Sequence, residues 1–237
     1  MMTHGRGPRR SFVASMMAVL AMAALSTTVF AQGNPNPGVI PPEAKVLGKT
    51  YGEWGDIWWN WAVQFPPEMS PLLDMTGEFG TLGQEGQVWF LAGVGGGGSA
   101  ERTLTIPAGK YLFFPLVNMF QAAEGTEEEE RAAVNTFIDR VSFLEASLDG
   151  VPLRDLFRYR AESPEGGFVL TLLTDSNLFG APAGDYEPAV SAGYYLLLAP
   201  LSVGEHELHF RAVVGDPDEP DFEVDVIYHL TVAPQNK

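Results

Sequence analysis

The chain contains no cysteine. That absence excludes disulfide bridges, thiol catalysis, zinc–thiolate sites and iron–sulfur clusters, so the fold must rest on packing alone. Basic residues are scarce: 14 Lys and Arg stand against 30 Asp and Glu, for a net charge of −16. Association with nucleic acid or an anionic membrane surface would begin with charge repulsion, and neither is an expected partner. Catalytic signatures are missing too. There is no Gly-x-Ser-x-Gly elbow and no His-Glu-x-x-His helix. The tetraglycine at residues 95–98 lacks the Lys-Ser/Thr of a phosphate loop and reads as a hairpin connection.

What is present begins with an address. Arg6, Arg9 and Arg10 precede an apolar run over residues 12–25, and Val29-Phe30-Ala31 puts small residues where a signal peptidase reads. Residues 1–31 are expected to be a signal peptide, with the mature protein starting near Gln32 in the periplasm or outside the cell. The run contains Ser15 and falls short of the ~20 apolar residues a membrane crossing needs. Arg9-Arg10-Ser11-Phe12-Val13 also resembles the twin-arginine export motif, so the general and the twin-arginine routes both stay open. Cleavage would leave eleven basic against 30 acidic residues, a net charge of −19. Residues 32–42 carry four prolines, two glycines and two asparagines and read as an extended leader. Residues 43–233 are expected to form one domain, and 234–237 a tail.

Thr50 and Glu53 stand at capping-box spacing, which predicts a helix from Tyr51 to just before Pro66-Pro67. At ~100° per residue, Tyr51, Trp54, Trp58, Trp61 and Phe65 share one band, with Glu53, Asp56, Asn60 and Gln64 opposite. The band is the expected packing face. Thr126 and Glu129 repeat the capping box before a second helix, expected to run to about Val141, and Glu127, Glu128, Glu129 and Glu130 suit its first turn electrostatically. The rest reads as short strands at residues 87–91, 102–106, 110–116, 143–148, 168–173, 194–198, 205–214 and 222–232. The predicted fold is mostly β: an antiparallel β-sandwich or jelly roll with a tryptophan-rich amphipathic helix packed on it and a second helix inserted.

Several of these segments carry a resemblance. Tyr51-Gly52-Glu53-Trp54, Trp58-Trp59-Asn60-Trp61, Gly86-Gln87-Val88-Trp89-Phe90-Leu91-Ala92-Gly93 and Ile106-Pro107-Ala108-Gly109-Lys110 resemble a family of uncharacterised exported bacterial proteins, a likeness that continues through Pro200-Leu201 and Gly204-Glu205-His206. The resemblance implies one unit over residues 43–233 and supplies no catalytic residue. The resemblance implies a cysteine pair flanking the Trp89 strand, which members of that family often carry. With none here, a disulfide-dependent role does not carry over.

Two candidate sites follow from the residues. Trp59 lies roughly 80° off the packing band, which makes it the best aromatic platform for a sugar ring or another flat ligand, with Asn60 and Gln64 as nearby polar groups. On the last two strands, Glu207, His209, Asp225 and His229 all fall out of phase with the apolar residues, so a hairpin would gather imidazole and carboxylate on one outer face. Those are ligands for zinc, copper or non-haem iron, although a solvated face of charge pairs has the same pattern. The acidic loop at residues 216–221 could hold calcium, yet its two prolines and missing glycine spoil the known loop pattern. The functional expectation is an exported, non-enzymatic binding protein for a glycan or other small neutral ligand. A metal-dependent enzyme using the His/carboxylate face, with a divalent or transition metal ion, and a structural or interaction module of the cell envelope are the alternatives.

Overall fold

The computed structural model describes Met1, Asn36 and residues 38–234. The body of the predicted signal peptide, the start of the leader and the last three residues of the tail lie outside the described residues. In chain order the elements are α1 (Tyr51–Val63), β1 (Val88–Phe90), β2 (Gly98–Pro107), β3 (Tyr111–Ala122), α2 (Glu127–Ile138), β4 (Val141–Leu148), β5 (Val151–Pro152), β6 (Arg160–Glu162), β7 (Phe168–Leu172), β8 (Gly184–Leu198), β9 (Gly204–Asp216) and β10 (Glu219–Ala233). Both helices open on the expected capping boxes. The Thr50 backbone N–H donates to Glu53 at 2.7 Å and the Thr126 N–H to Glu129 at 2.8 Å.

The strands form a β-sandwich of two five-stranded sheets. The first runs β1-β3-β8-β6 with β7 also paired to β8; the second runs β2-β10-β9-β4-β5. Each is mixed, since β1 lies parallel to β3 and β2 parallel to β10, while the other pairs are antiparallel. Those parallel edges arise because β1 and β2, neighbours in sequence, join different sheets. The tetraglycine therefore crosses between sheets and is not the hairpin expected from sequence. Gly96, Gly97 and Gly98 all have positive φ, and a Cβ on Gly97 would come within 2.8 Å of the Glu223 carbonyl oxygen, so side chains are excluded there.

The first sheet is the middle layer. Phe113 of β3 stacks on Tyr195 of β8 beneath α1, whereas Phe114 points the other way and stacks on Phe210 of β9. With a helix on one face and a sheet on the other, residues 112–117 and 194–198 are buried without alternation. The second sheet keeps one wet face. Its β10 alternates buried Val224, Val226, Tyr228, Leu230 and Val232 with half-buried neighbours, the pattern read from the sequence.

The chain joins this body earlier than residue 43. Val39 bridges to Leu198, the Ile40 N–H donates to Leu197 at 2.8 Å, and buried Asn36 exchanges hydrogen bonds with the Arg154 backbone. Among the described residues no helix is long and apolar enough to cross a membrane.

Candidate functional site

The tryptophans of α1 divide by what their indole N–H groups do. Trp54 donates to the Val46 carbonyl at 3.1 Å, Trp58 to Leu91 at 2.9 Å and Trp61 to Leu82 at 2.9 Å, so the band pins the segment before α1 and the loops around β1 to the helix. Trp59 makes no well-formed hydrogen bond. Its ring lies against Phe120 of β3 with centroids 4.5 Å apart, and it lines a cavity of about 590 Å³ whose walls include Phe120, Leu170, Leu172 and Phe179. That volume falls in the ordinary range for a small-molecule site, and the lining is mostly apolar.

A β-bulge in β3 shapes one wall of this cavity. Pro115 pairs with Tyr195 but Val117 already pairs with Tyr194, so Leu116 is an extra residue in β3. Strict alternation from Phe113 would aim Val117 and Met119 at α1; the bulge aims Asn118 and Phe120 there instead. Asn118 then sits over Gly193 beside the Tyr195 ring, and the Tyr195 hydroxyl lies next to the side chains of Ser191, Asn118 and Trp59. Among the described residues, four buried side-chain polar atoms lack a well-formed hydrogen bond: Trp59 Nε1, Asn118 Nδ2, the Tyr195 hydroxyl and, apart from them on β1, Trp89 Nε1. Three of the four meet here. The Tyr195 oxygen can accept, and it lies within side-chain hydrogen-bond reach of the other two groups, so the three are loose partners for one another.

Behind them lies a buried carboxylate. Asp56 was expected on the wet side of α1, yet Gly52 lets the helix press against β6 so closely that a Cβ would meet the Glu162 carbonyl at 1.9 Å, and Asp56 is drawn into the interface. It accepts hydrogen bonds from the hydroxyls of Ser163 and Ser191. Burial pushes its carboxyl up to about 6, against the lowering effect of the two serines and of Arg131. Between the unfolded value near 3.8 and that folded value, the native state holds a proton the unfolded state has lost. Stability therefore falls as pH rises through this window and is level above it, where the ionised form carries a penalty of roughly 3 kcal/mol. Asp56→Asn keeps an acceptor for both serines without the charge. We expect it to raise stability by about 1–3 kcal/mol near pH 8 and to leave it unchanged near pH 4, read from denaturant melts across that range. A variant less stable than the parent near pH 8 would mean that the carboxylate is required as an anion.

The other residues singled out by sequence have different fates. Asn60 and Gln64 do not join Trp59. Asn60 docks β7, donating to Val169 and accepting from the Thr171 N–H, both at 2.9 Å, while Gln64 donates to Trp61; both border a separate hollow beside Trp54 and Trp61. On the β9–β10 hairpin, Glu207, His209, Asp225 and His229 do share one face, but Ile227 stands directly across from His209 and separates the histidines. His209 pairs with Asp225 at 2.7 Å, while His229 lies between Glu101 of β2 at 2.8 Å and Glu207 at 3.7 Å. The two imidazoles do not converge. Glu219 pairs directly with Asp216, so the acidic loop closes as a tight turn, and Asp221 pairs with Arg140. Among the described residues no group of three or more His, Asp or Glu is placed to hold a metal ion.

Sequence reasoning missed Asn118 and Tyr195. A polar Asn inside the apolar run Leu116-Val117-Asn118-Met119-Phe120 was the available signal. No protein-family model and no curated protein matches the chain. Among solved structures, amebosin in solution aligns with 57% of this chain and 96% of its own at 11% identity, but its TM-score of 0.19 carries no argument about fold or function.

Proposed function

We propose that this chain is an exported, non-enzymatic binding protein for a small, neutral, largely apolar molecule held in the cavity between α1, β3 and β7. The observation that carries this reading is Trp59, a nearly buried aromatic ring on the wall of a mostly apolar cavity of about 590 Å³. Aliphatic and aromatic walls match a hydrocarbon surface better than the hydroxyl-covered edge of a glycan, which would need more polar partners. Binding rather than catalysis is favoured because the Ser163 and Ser191 hydroxyls are buried and spend their protons on Asp56. Export rests on the ordered basic, apolar and small-residue segments before Gln32.

The test is titration with the neutral apolar fluorophore N-phenyl-1-naphthylamine. The parent should bind it saturably with a stoichiometry of one and quench tryptophan emission. Ala122→Phe, which fills the cavity from β3, should weaken that binding by about tenfold or more while melting near the parent. No saturable binding, or equal binding by the filled variant, would reject the site.

A further inference from the structure

We infer that the occupant of the cavity is a peptide: a short, uncharged, apolar segment of another polypeptide, laid along the open edge of β3 as an added strand. This deepens the binding reading above and rests on it.

The edge is open because the first sheet lacks a strand there. Val88, Trp89 and Phe90 of β1 pair with Tyr111, Leu112 and Phe113, whereas β3 continues to Ala122. The Leu91 N–H still donates to Phe113 at 3.0 Å. Beyond it the Arg102 guanidinium of β2 takes the Ala92 and Gly93 carbonyls at 2.6 and 2.9 Å, which draws the chain off β3 toward the second sheet. Every residue from Pro115 to Ala122 then lines the cavity. Successive side chains of a strand point to opposite faces, so an unbroken run of them borders one space only where that space lies along the strand's edge.

The main-chain groups of this edge follow from the ladder. The Ala123 N–H donates to Pro188 of β8 at 2.9 Å, and antiparallel alternation turns Gln121, Met119 and Val117 the same way. The far strand agrees, since Ser191, opposite Phe120, gives its carbonyl to the Ser163 N–H on its other side at 2.9 Å. The N–H and C=O groups of Asn118, Phe120 and Ala122 therefore point away from β8, and no described residue pairs with them. They recur every ~7 Å, the repeat of a strand. Another main chain matches such a row in donors and acceptors alike, whereas a plain hydrocarbon leaves it unpaired.

The walls set the side chains. Trp59 and Phe179, both in ring contact with Phe120, stand on the α1 side of β3; Phe222 and Val224 of β10, with Phe137 against Phe222, stand on the side of the second sheet. An added strand sends alternate side chains to each wall, so both sets must be apolar. No Lys, Arg or His lines the cavity and Glu124 does, so an acidic segment would meet a like charge with no counter-ion.

The probe is the blocked peptide acetyl-Ala-Val-Phe-Val-Ala-amide, titrated into the mature chain with the naphthylamine fluorophore bound. It should displace the fluorophore saturably. Five analogues, each N-methylated at one residue, remove one N–H at a time. Affinity should fall about tenfold or more at alternate residues, those turned to β3, and change by less than about twofold at the residues between. Amide hydrogen exchange reads the same edge from the protein. In the free chain Asn118, Phe120 and Ala122 should exchange about tenfold or more faster than Val117, Met119 and Gln121, and saturating peptide should slow those three by about tenfold or more. Fluorophore binding without displacement by the peptide overturns the peptide assignment and leaves the cavity standing. A uniform or absent N-methyl effect overturns it too, as does equal protection of all six amides in the free chain. If neither fluorophore nor peptide binds, the cavity reading fails and the peptide with it.

Discussion

Arg102→Met should destabilise the fold by on the order of 3–5 kcal/mol, enough to unfold a domain of ordinary marginal stability. Arg102 is 1% exposed and has no carboxylate partner in hydrogen-bond contact. Its guanidinium instead donates to the Asp74 carbonyl at 2.7 Å, to Ala92 and the Tyr228 hydroxyl at 2.6 Å each, and to Gly93 at 2.9 Å, and it lies over the Tyr228 ring. Met fills much of the volume but leaves buried carbonyls in two loops unpaired, at ~1–3 kcal/mol apiece before relaxation. Relief from burying a charge offsets part of that loss, which is why the expected total lies below the sum. Arg102→Lys should cost less, yet a point charge cannot reproduce a planar fork that reaches three carbonyls and a hydroxyl. Urea melts of both variants give the comparison. A loss under about 1 kcal/mol for Arg102→Met would show that the loops hold without the clamp.

The clamp also bears on binding. The loops it joins supply Leu72, Val94 and Gly95 to the cavity wall, and the Gly95 N–H donates to the Leu72 carbonyl at 2.8 Å. Asp74 stiffens the first loop further. Burial raises its carboxyl, but backbone N–H groups of Phe79, Thr76 and Gly77 outweigh that and hold it below the usual carboxylate range. Arg102→Lys, if folded, should therefore weaken fluorophore binding along with stability.

How far the sequence reveals such features depends on whether a pattern is local. The capping boxes at Thr50 and Thr126 and the alternation in β10 are set by neighbours in sequence, and each was legible. Arg102 carried a readable signal that was passed over: it shares the buried face of β2 with Ala100, Leu104 and Ile106, so a basic residue stands in an apolar phase. Asn118 could not be oriented from sequence, because the bulge at Leu116 reverses the alternation that a period of two assumes. Asp56 and Asn60 lie opposite the tryptophan band on a helical wheel, which implies solvent. In the fold α1 is gripped from both flanks, by the loops around β1 and by β6 and β7, and both residues find partners on the second flank. A wheel describes one helix and not what closes over it.

Trp58→Ala should likewise remove on the order of 3–5 kcal/mol, the usual cost of emptying a buried aromatic position. Trp58 is fully buried, its ring contacts Trp59 and Trp61, and its loss also strands the Leu91 carbonyl, an atom of the segment held by the Arg102 clamp. Trp59→Ala makes the informative contrast. It deletes the same side chain one residue away, but from the wall of a cavity that already exists, and it removes only a loose contact with the Tyr195 hydroxyl instead of a well-formed bond. We expect it to cost about half as much and to abolish fluorophore binding, whereas any folded fraction of Trp58→Ala should keep the binding contacts of Trp59. Equal losses of stability from the two, with binding retained in Trp59→Ala, would place Trp59 in the core beside its neighbour and remove the ground for assigning the cavity a ligand.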